Sequence, residues 1–335
     1  MKTLATNELL NAFSLAVIIC TRNRSRSLKR TLESMVEADR TGLELRVIVV
    51  NNSGSKENEQ VIFSLKDKLP IRLVDEVRVG KSFALNCGLG ECGNANIIAV
   101  VDDDMTVDRG WFLGVRRITE RWPCKGFFGG STYVVWPPVV AAPWTRSPFL
   151  RGWAYSVEDV KVDRLVKPGH WVSGNCFWFR AEVLPSGYQF AGQWLTEPPL
   201  MLDLAERGYG GVLGPDAVAY HHVGEELLDA EVVRHRAVKV GEAFAAVRLV
   251  PFRSSVKQAV LFNRHPIVAR LYCALSILRW IGAYGLALTA VSASRRFEKT
   301  LKAVERIAAH RAYLRICGTC EEYRLKGLFL KGGAV

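Results

Sequence analysis

Four short apolar runs rich in branched residues, Leu15–Cys20, Val47–Val50, Ile71–Val74 and Ile97–Val101, constrain this chain more than any other feature. Runs of this length and type read as strands buried on both faces. Between the first two, Leu28, Leu32, Met35 and Val36 recur at helical spacing, and a small-residue helix is expected over Ser82–Leu89. A strand–helix–strand alternation of this kind predicts a mostly parallel α/β sheet with helices on both faces. Ligands of such sheets bind beyond the carboxyl ends of the strands. Two of those ends carry Thr21-Arg22-Asn23 and Asp102-Asp103-Asp104, so these are the places to look for chemistry.

Three carboxylates directly after a buried strand repel one another unless a cation or hydrogen-bond donors compensate. Hard divalent cations prefer oxygen ligands of this type and bridge to phosphate, so a metal–phosphate site is expected at 102–104. Gly88, Gly90 and Gly93 match GxGxxG formally. They follow a helical segment and precede a strand, the reverse of a dinucleotide fingerprint, so a plain loop is expected. Further strands are expected at Cys176–Phe179, Val212–Leu213 and Val218–Tyr220, and a helix at Pro199–Arg207. Six of the nine tryptophans lie between Trp136 and Trp194, where they serve either as core or as flat stacking surfaces.

The segments SLAVIICTRNR, VIVVNNSGS, VGKSFALNCGL, AVVDDDMTV and AERGYGGVLGPDAVAYHH occur in the order seen in family 2 glycosyltransferases. Over residues 14–222 the chain resembles that inverting, GT-A-fold family. The resemblance implies transfer of a sugar from a nucleotide-diphosphate sugar to an acceptor hydroxyl, with Mg²⁺ or Mn²⁺ as divalent cofactor. It implies a donor pocket lined by Thr21, Arg22, Asn23, Asn51, Asn52, Lys81 and Asn86, beside the small positions Gly80, Ala84 and Gly88. Asn51 and Asn52 stand where the family has an Asp facing the base, and Arg78 where an Asn is common. Asp102 is implied at the ribose, Asp103 as a supporting residue and Asp104 as the metal ligand. A histidine at the end of the domain is implied as a further ligand. Neighbouring strand residues face opposite ways, so at most one of His221 and His222 reaches the metal, and His222 is preferred. Gly174, Asn175 and Trp194 fall on the acceptor side. The catalytic Asp of the family's Glu-Asp pair corresponds to Glu197, preceded by Thr196. Pro198-Pro199 suits a helix start, and a helix N-terminus favours a charged carboxylate. Glu197 is therefore the expected general base.

Composition divides the chain. Residues 1–225 hold 26 basic and 25 acidic side chains, a net of +1, whereas 226–335 hold 19 and 8, a net of +11. A glycosyltransferase domain over 1–225 and a basic, mostly helical C-terminal extension over 226–335 are expected. The charge suits an anionic membrane surface, and with it a glycan or lipid-linked acceptor. No nucleic acid partner is expected, since no module that reads one accompanies the charge. Residues 266–294 carry only Arg270 and Arg279 as charges, and the uncharged run Trp280–Ser294 is 15 residues. That is below the roughly 18 that argue for a spanning helix, so core, re-entrant and membrane-surface readings all stand. The first residues, MKTLATNELLNAF, lack a long apolar run, so no signal peptide is expected. Eight scattered cysteines fit a reducing compartment, and Cys317-x-x-Cys320 lacks the further ligands a zinc site needs. A cytoplasmic location follows, free or peripheral on the cytoplasmic face of a membrane. Two rivals stand: a catalytically silent scaffold of the same fold, favoured by the Thr196-Glu197 departure, and a sugar nucleotidyltransferase, whose glycine-rich first loop is missing here.

Overall fold

The computed structural model describes residues 13–52, 54–192, 194–246 and 266–316. Cys317 and Cys320 and the first twelve residues lie outside them. The described residues fall into two compact units. One combines the chain up to Trp136 with Ser156–Val223, and the other combines Pro137–Tyr155 with the chain from Gly224 on.

The first unit is a mixed nine-stranded sheet with helices. Its strands are β1 Phe13–Thr21, β2 Leu43–Asn52, β3 Ile71–Glu76, β4 Ile97–Val101, β5 Met105–Val107, β6 Phe127–Val135, β7 Arg164–Leu165, β8 Cys176–Arg180 and β9 Gly211–His222. Their order is β3-β2-β1-β4-β8-β6-β9-β5, with β7 paired to β9. The first four run parallel, in the register Val17↔Val47 and Val17↔Ala99, and β8 joins β4 antiparallel. Alternation along β1 sends Leu15, Val17 and Ile19 into one core and Ala16 and Ile18 into the other. Each fully buried side chain of this size contributes about 1.5–3 kcal/mol, which fixes the register.

Helix α1, Ser25–Glu37, buries Leu28, Thr31, Leu32 and Met35 at one-turn spacing. Helix α2, Lys56–Leu65, is capped by Ser55, whose side chain accepts from the Asn58 N–H. Helix α3, Lys81–Gly90, lies close to the sheet: a Cβ at Gly88 would meet Ile18 at 2.6 Å. The first glycine of GLGECG is therefore a helix–sheet packing position, whereas Gly90 at the helix end meets nothing within 4 Å. Helices α4, Trp111–Arg121, and α6, Pro198–Glu206, complete the unit. The stretch expected as two short strands is the single strand β9, whose pairing with β6 shifts register between Gly129 and Ser131. A Cβ on Gly130 would lie 1.9 Å from the Ala217 carbonyl, so the β6 glycines permit this close pairing.

The second unit is helical. A short 3₁₀ turn, Pro143–Arg146, and α5, Pro148–Trp153, precede α7, Ala230–Ala246, α8, Pro266–Leu288, and α9, Ala293–Ile316. Trp153 donates to Glu305 at 2.7 Å, Trp144 packs on Phe297, and Ser147 bonds Glu298. Two of the clustered tryptophans thus pack within this unit. A third, Trp178, is a core residue of the sheet that stacks on Phe128 and donates to Thr119. Trp136 and Trp194 remain exposed.

Candidate active site

The carboxyl ends of β1, β2, β3 and β4 converge on Thr21, Asn51–Asn52, Glu76 and Asp102–Asp104. Asn175 and Gly174, immediately before β8, reach the same edge: the Asp102 N–H donates to the Asn175 carbonyl at 2.8 Å. Helix α3 delivers Lys81 in its first turn, and α6 delivers Glu197 at its N-cap.

Lys81 Nζ sits 2.7 Å from Asp102 Oδ1 and 2.6 Å from Glu197 Oε1. Burial alone would lower the Lys81 pKa, but the charges of Asp102 and Glu197 outweigh it and raise the value. The buried Glu197 side chain makes no capping bond to its own helix, so it turns to the lysine instead. Gly174 supplies the room: a Cβ there would stand 3.0 Å from both Cδ and Oε2 of Glu197. Both amide atoms of the neighbouring Asn175 are buried without a hydrogen-bond partner, although buried polar atoms normally have one.

The three aspartates divide. Asp103 is buried, accepts from Thr21 at 2.7 Å and Arg24 at 3.1 Å, and its own carbonyl accepts from Thr31 at 2.9 Å. Burial pushes its carboxyl up to about 6, against the pull of Arg24. Asp104 accepts from Arg24 at 3.2 Å through Oδ2, while its Oδ1 is buried and makes no hydrogen bond. Burial, with the charge of Asp102, raises this carboxyl too. His221 Nε2 lies 3.9 Å from that oxygen.

The geometry therefore puts His221, not the preferred His222, beside Asp104. His222 is on the other face of β9, where its Nε2 is 2.9 Å from Thr106 Oγ1. Burial, assisted by the positive charge of Arg30, pushes His222 down to about 4, so it is neutral. Among the described residues no cluster of three or more His, Cys, Asp or Glu side chains is disposed around a metal. Asp104 Oδ1, a buried oxygen without a hydrogen bond, and the imidazole of His221 nonetheless have the donor chemistry that could hold a divalent cation.

Several expected donor residues are occupied within the protein. Asn51 donates to Asp75 and the Ser55 carbonyl, and its oxygen accepts from the Ser55 N–H and from Asn58. Asn52 donates to the carbonyls of Glu76 and Arg78 and accepts from the Gly80 N–H at 2.9 Å. Both brace loops, and Asp75 is the exposed carboxylate at this edge. Asn86 forms a two-way bracket with the backbone of Phe190, at 2.9 and 2.7 Å. Arg78 pairs with Glu76 at 2.7 Å. Arg22 and Asn23 are exposed in the turn after β1, Asn23 with a positive φ of 55°. Trp194 is exposed in the segment leading to Glu197, next to Leu195 at φ 54°. Arg24 is the residue that sequence reasoning passed over, and its signal was the second arginine of Thr-Arg-Asn-Arg facing three acids.

A profile described as "Glycosyl transferase family 2" matches residues 16–184, half of the chain. A glucosyl-dolichyl phosphate glucuronosyltransferase of Haloferax volcanii is 28% identical over 123 residues, covering 36% of this chain and 39% of that protein. The alignment thus spans about two-fifths of that curated relative. Among solved structures, the mannosyltransferase PcManGT of Pyrobaculum calidifontis, in complex with GDP-Man and Mn²⁺, superposes with a TM-score of 0.58 at 19% identity, covering 90% of this chain and 86% of its own. TarS of S. aureus (residues 1–349, with UDP-GlcNAc) gives 0.51 at 13% identity, covering 93% and 92%. At these identities the structural likeness speaks for the fold.

Proposed function

Because the chain belongs to glycosyl transferase family 2, we propose that it moves a sugar from a nucleotide-diphosphate sugar to an acceptor hydroxyl, with inversion at the anomeric carbon. The observation that carries this reading is the buried Glu197 carboxylate, held by Lys81 against Asp102 at the carboxyl edge of the sheet. Glu197 takes the proton of the acceptor hydroxyl as its oxygen bonds to the anomeric carbon. The bond to the diphosphate breaks on the opposite side, and nucleoside diphosphate departs. Lys81 holds one Glu197 oxygen and leaves the other, packed over Gly174, for the acceptor. Asn175 offers an unpaired amide to a sugar hydroxyl at the same edge.

Asp104 and His221 are the residues that would hold Mg²⁺ or Mn²⁺. A divalent cation there supplies charge neutralisation for the diphosphate leaving group. Asp103 fixes this end of β4 through Thr21 and Arg24. Thr21, Arg22 and Asn23 border the donor side. Asn51, Asn52 and Asn86 contribute through the loops they brace. For the base, the accessible carboxylate is Asp75. A relative named as acting on a glucosyl-dolichyl phosphate supports a lipid-linked acceptor, and the net +11 of residues 226–335 supports a peripheral place on the cytoplasmic face of an anionic membrane.

A panel of nucleotide sugars with Mn²⁺, scored for release of nucleoside diphosphate, tests the reading. Hydrolysis or transfer from one donor, lost in Glu197→Gln, is the expected result. Donor binding without turnover under any acceptor would favour the scaffold instead.

A further inference from the structure

Helix α8 plays no part in sugar transfer as read above. It runs for 23 residues, Pro266–Leu288, and its apolar span Ile267–Leu288 has a mean hydropathy of 1.5 and is almost wholly unburied. A helix in the core of a soluble protein would be mostly buried. Here burial is confined to one stripe that includes Ala269, Cys273 and Ala287, and it faces α9: Cys273 Sγ lies 3.5 Å from His310 Nδ1. Small residues at helical spacing let α9 lie close from one end of the stripe to the other.

The opposite side is a ridge of Ile267, Leu271, Leu275, Leu278 and Ile281, each between 53% and 72% exposed. At ~100° per residue, Arg270 and Arg279 fall on the two flanks between ridge and stripe, one on each side. In an isolated helix these arginines spoil an amphipathic pattern. With α9 covering one face they border an uninterrupted apolar strip. No acidic residue occurs in α8, and α9 carries seven Lys or Arg against Glu298 and Glu305.

Length alone would let α8 cross a bilayer: 23 residues at 1.5 Å make roughly 35 Å, against a hydrocarbon core of about 30 Å. Crossing would bring Arg279 deep into hydrocarbon and drag charged α9 in beside it, both unfavourable. We propose that α8 instead docks lengthwise on an anionic lipid bilayer. The ridge enters the acyl boundary, Arg270 and Arg279 lie level with the phosphates on either side, and α9 stays on the aqueous side. The charge selects the occupant: an apolar ridge bordered by arginines and backed by a basic helix complements lipid phosphate. The proposal deepens the peripheral membrane placement given above and does not depend on sugar transfer.

The test uses the full-length chain with vesicles of phosphatidylcholine alone or mixed with phosphatidylglycerol. Co-sedimentation is expected with the mixed vesicles and is expected to weaken with salt. Arg270→Ala and Arg279→Ala should each lower the partition coefficient about fivefold. Leu271→Glu with Leu278→Glu should abolish binding while the circular-dichroism melt is unchanged, because both side chains are already in solvent. Should that variant fold poorly, Leu275→Trp in the otherwise intact chain provides the second measurement, read as the difference from the parent with its native tryptophans. Its quenching by bromine on lipid acyl chains is expected, and no quenching overturns the pose. Equal binding to neutral vesicles that survives alkaline extraction overturns it in favour of a spanning helix. A dimer in sedimentation velocity, lost in the double glutamate variant and without vesicle binding, overturns it in favour of a contact between copies. Absence of both overturns it outright. Binding of UDP and GDP with Mn²⁺, measured on the same proteins, keeps a failure here distinct from a failure of the sugar-transfer reading.

Discussion

Replacing Lys81 with methionine removes the ammonium that joins two carboxylates and keeps most of the side chain's volume. Lys81 Nζ is 2.7 Å from Asp102 and 2.6 Å from Glu197, with side-chain exposures of 30% for Lys81, 29% for Asp102 and 7% for Glu197. Breaking a fully buried pair costs about 3–5 kcal/mol, because the surviving charge stays desolvated without a partner. A fully exposed pair is worth about 0–1 kcal/mol. One buried and two part-exposed members put Lys81→Met between these, at about 2–3 kcal/mol. At roughly 2–4 °C per kcal/mol for a unit of this size, its melting temperature falls by about 4–12 °C. Glu197→Gln leaves Lys81 paired with Asp102, so it costs about 1 kcal/mol or less. The double variant leaves no buried carboxylate at position 197, so its loss should fall short of the sum by about 1–2 kcal/mol. Thermal unfolding of the four proteins, followed by tryptophan fluorescence, completes the cycle. Additivity within about 0.5 kcal/mol would show that Lys81 does not anchor Glu197 in solution.

Glu197→Gln should lower turnover by roughly 10²–10⁴-fold with donor affinity nearly intact, and Glu197→Asp should retain part of the activity; steady-state kinetics with a native acceptor decides, and a parent rate for the glutamine variant moves the base elsewhere. Asp104→Asn and His221→Ala should each weaken Mn²⁺-dependent nucleotide binding in calorimetry, whereas His222→Ala should not, since its ring turns to Thr106. Gly174→Ala should fold but lose turnover, because its Cβ would press on Glu197 at 3.0 Å; a kcat equal to the parent's would show that the carboxylate has room to move. In the helical unit, burial, reinforced by the charge of Arg306, holds His310 down at about 4. The unfolded chain takes up its proton near pH 6.5, so stability is full above that value and falls by up to about 3 kcal/mol as pH drops toward 4. His310→Phe should flatten that stretch of the urea-stability profile, and an unchanged profile would assign the loss to other groups.

The sheet was legible because its central strands are buried on both faces. Ile97–Val101 has no polar residue to blur its ends, and it is β4 without adjustment. Strand β6 was not legible. Gly129-Gly130 looks like a break, yet Gly130 is where β6 presses against the Ala217 carbonyl too closely for any side chain. Gly130 answers to a neighbour 87 positions away, which no local pattern reports. The same cause divided β9 into two expected pieces: Pro215 and Asp216 sit at the shift in its pairing with β6.

In the site, residue types and their placement in the fold were readable, while the direction of each side chain was not. His221 and His222 are equivalent as letters. The pairing of β9 with β5, which sets Met105 opposite His221, decides which ring turns toward Asp104. Asn51 and Asn52 show the converse. Their positions at the end of β2 suggest a ligand contact, but a buried amide has up to four bonds to satisfy, and loop backbone and neighbouring side chains satisfy them first. Lys81 stands in the first turn of α3 and Glu197 at the N-cap of α6, 116 residues apart. Lys81 lies in the segment VGKSFALNCGL and Glu197 stands just before Pro198-Pro199, but no local pattern reports that the two side chains meet. Leu195, held at a positive φ two residues before Glu197, indicates what their meeting costs: a β-carbon residue in that region is sparsely populated and is worth of order 1–3 kcal/mol of strain. The packing of α6 and the Lys81–Glu197 pair offset that strain.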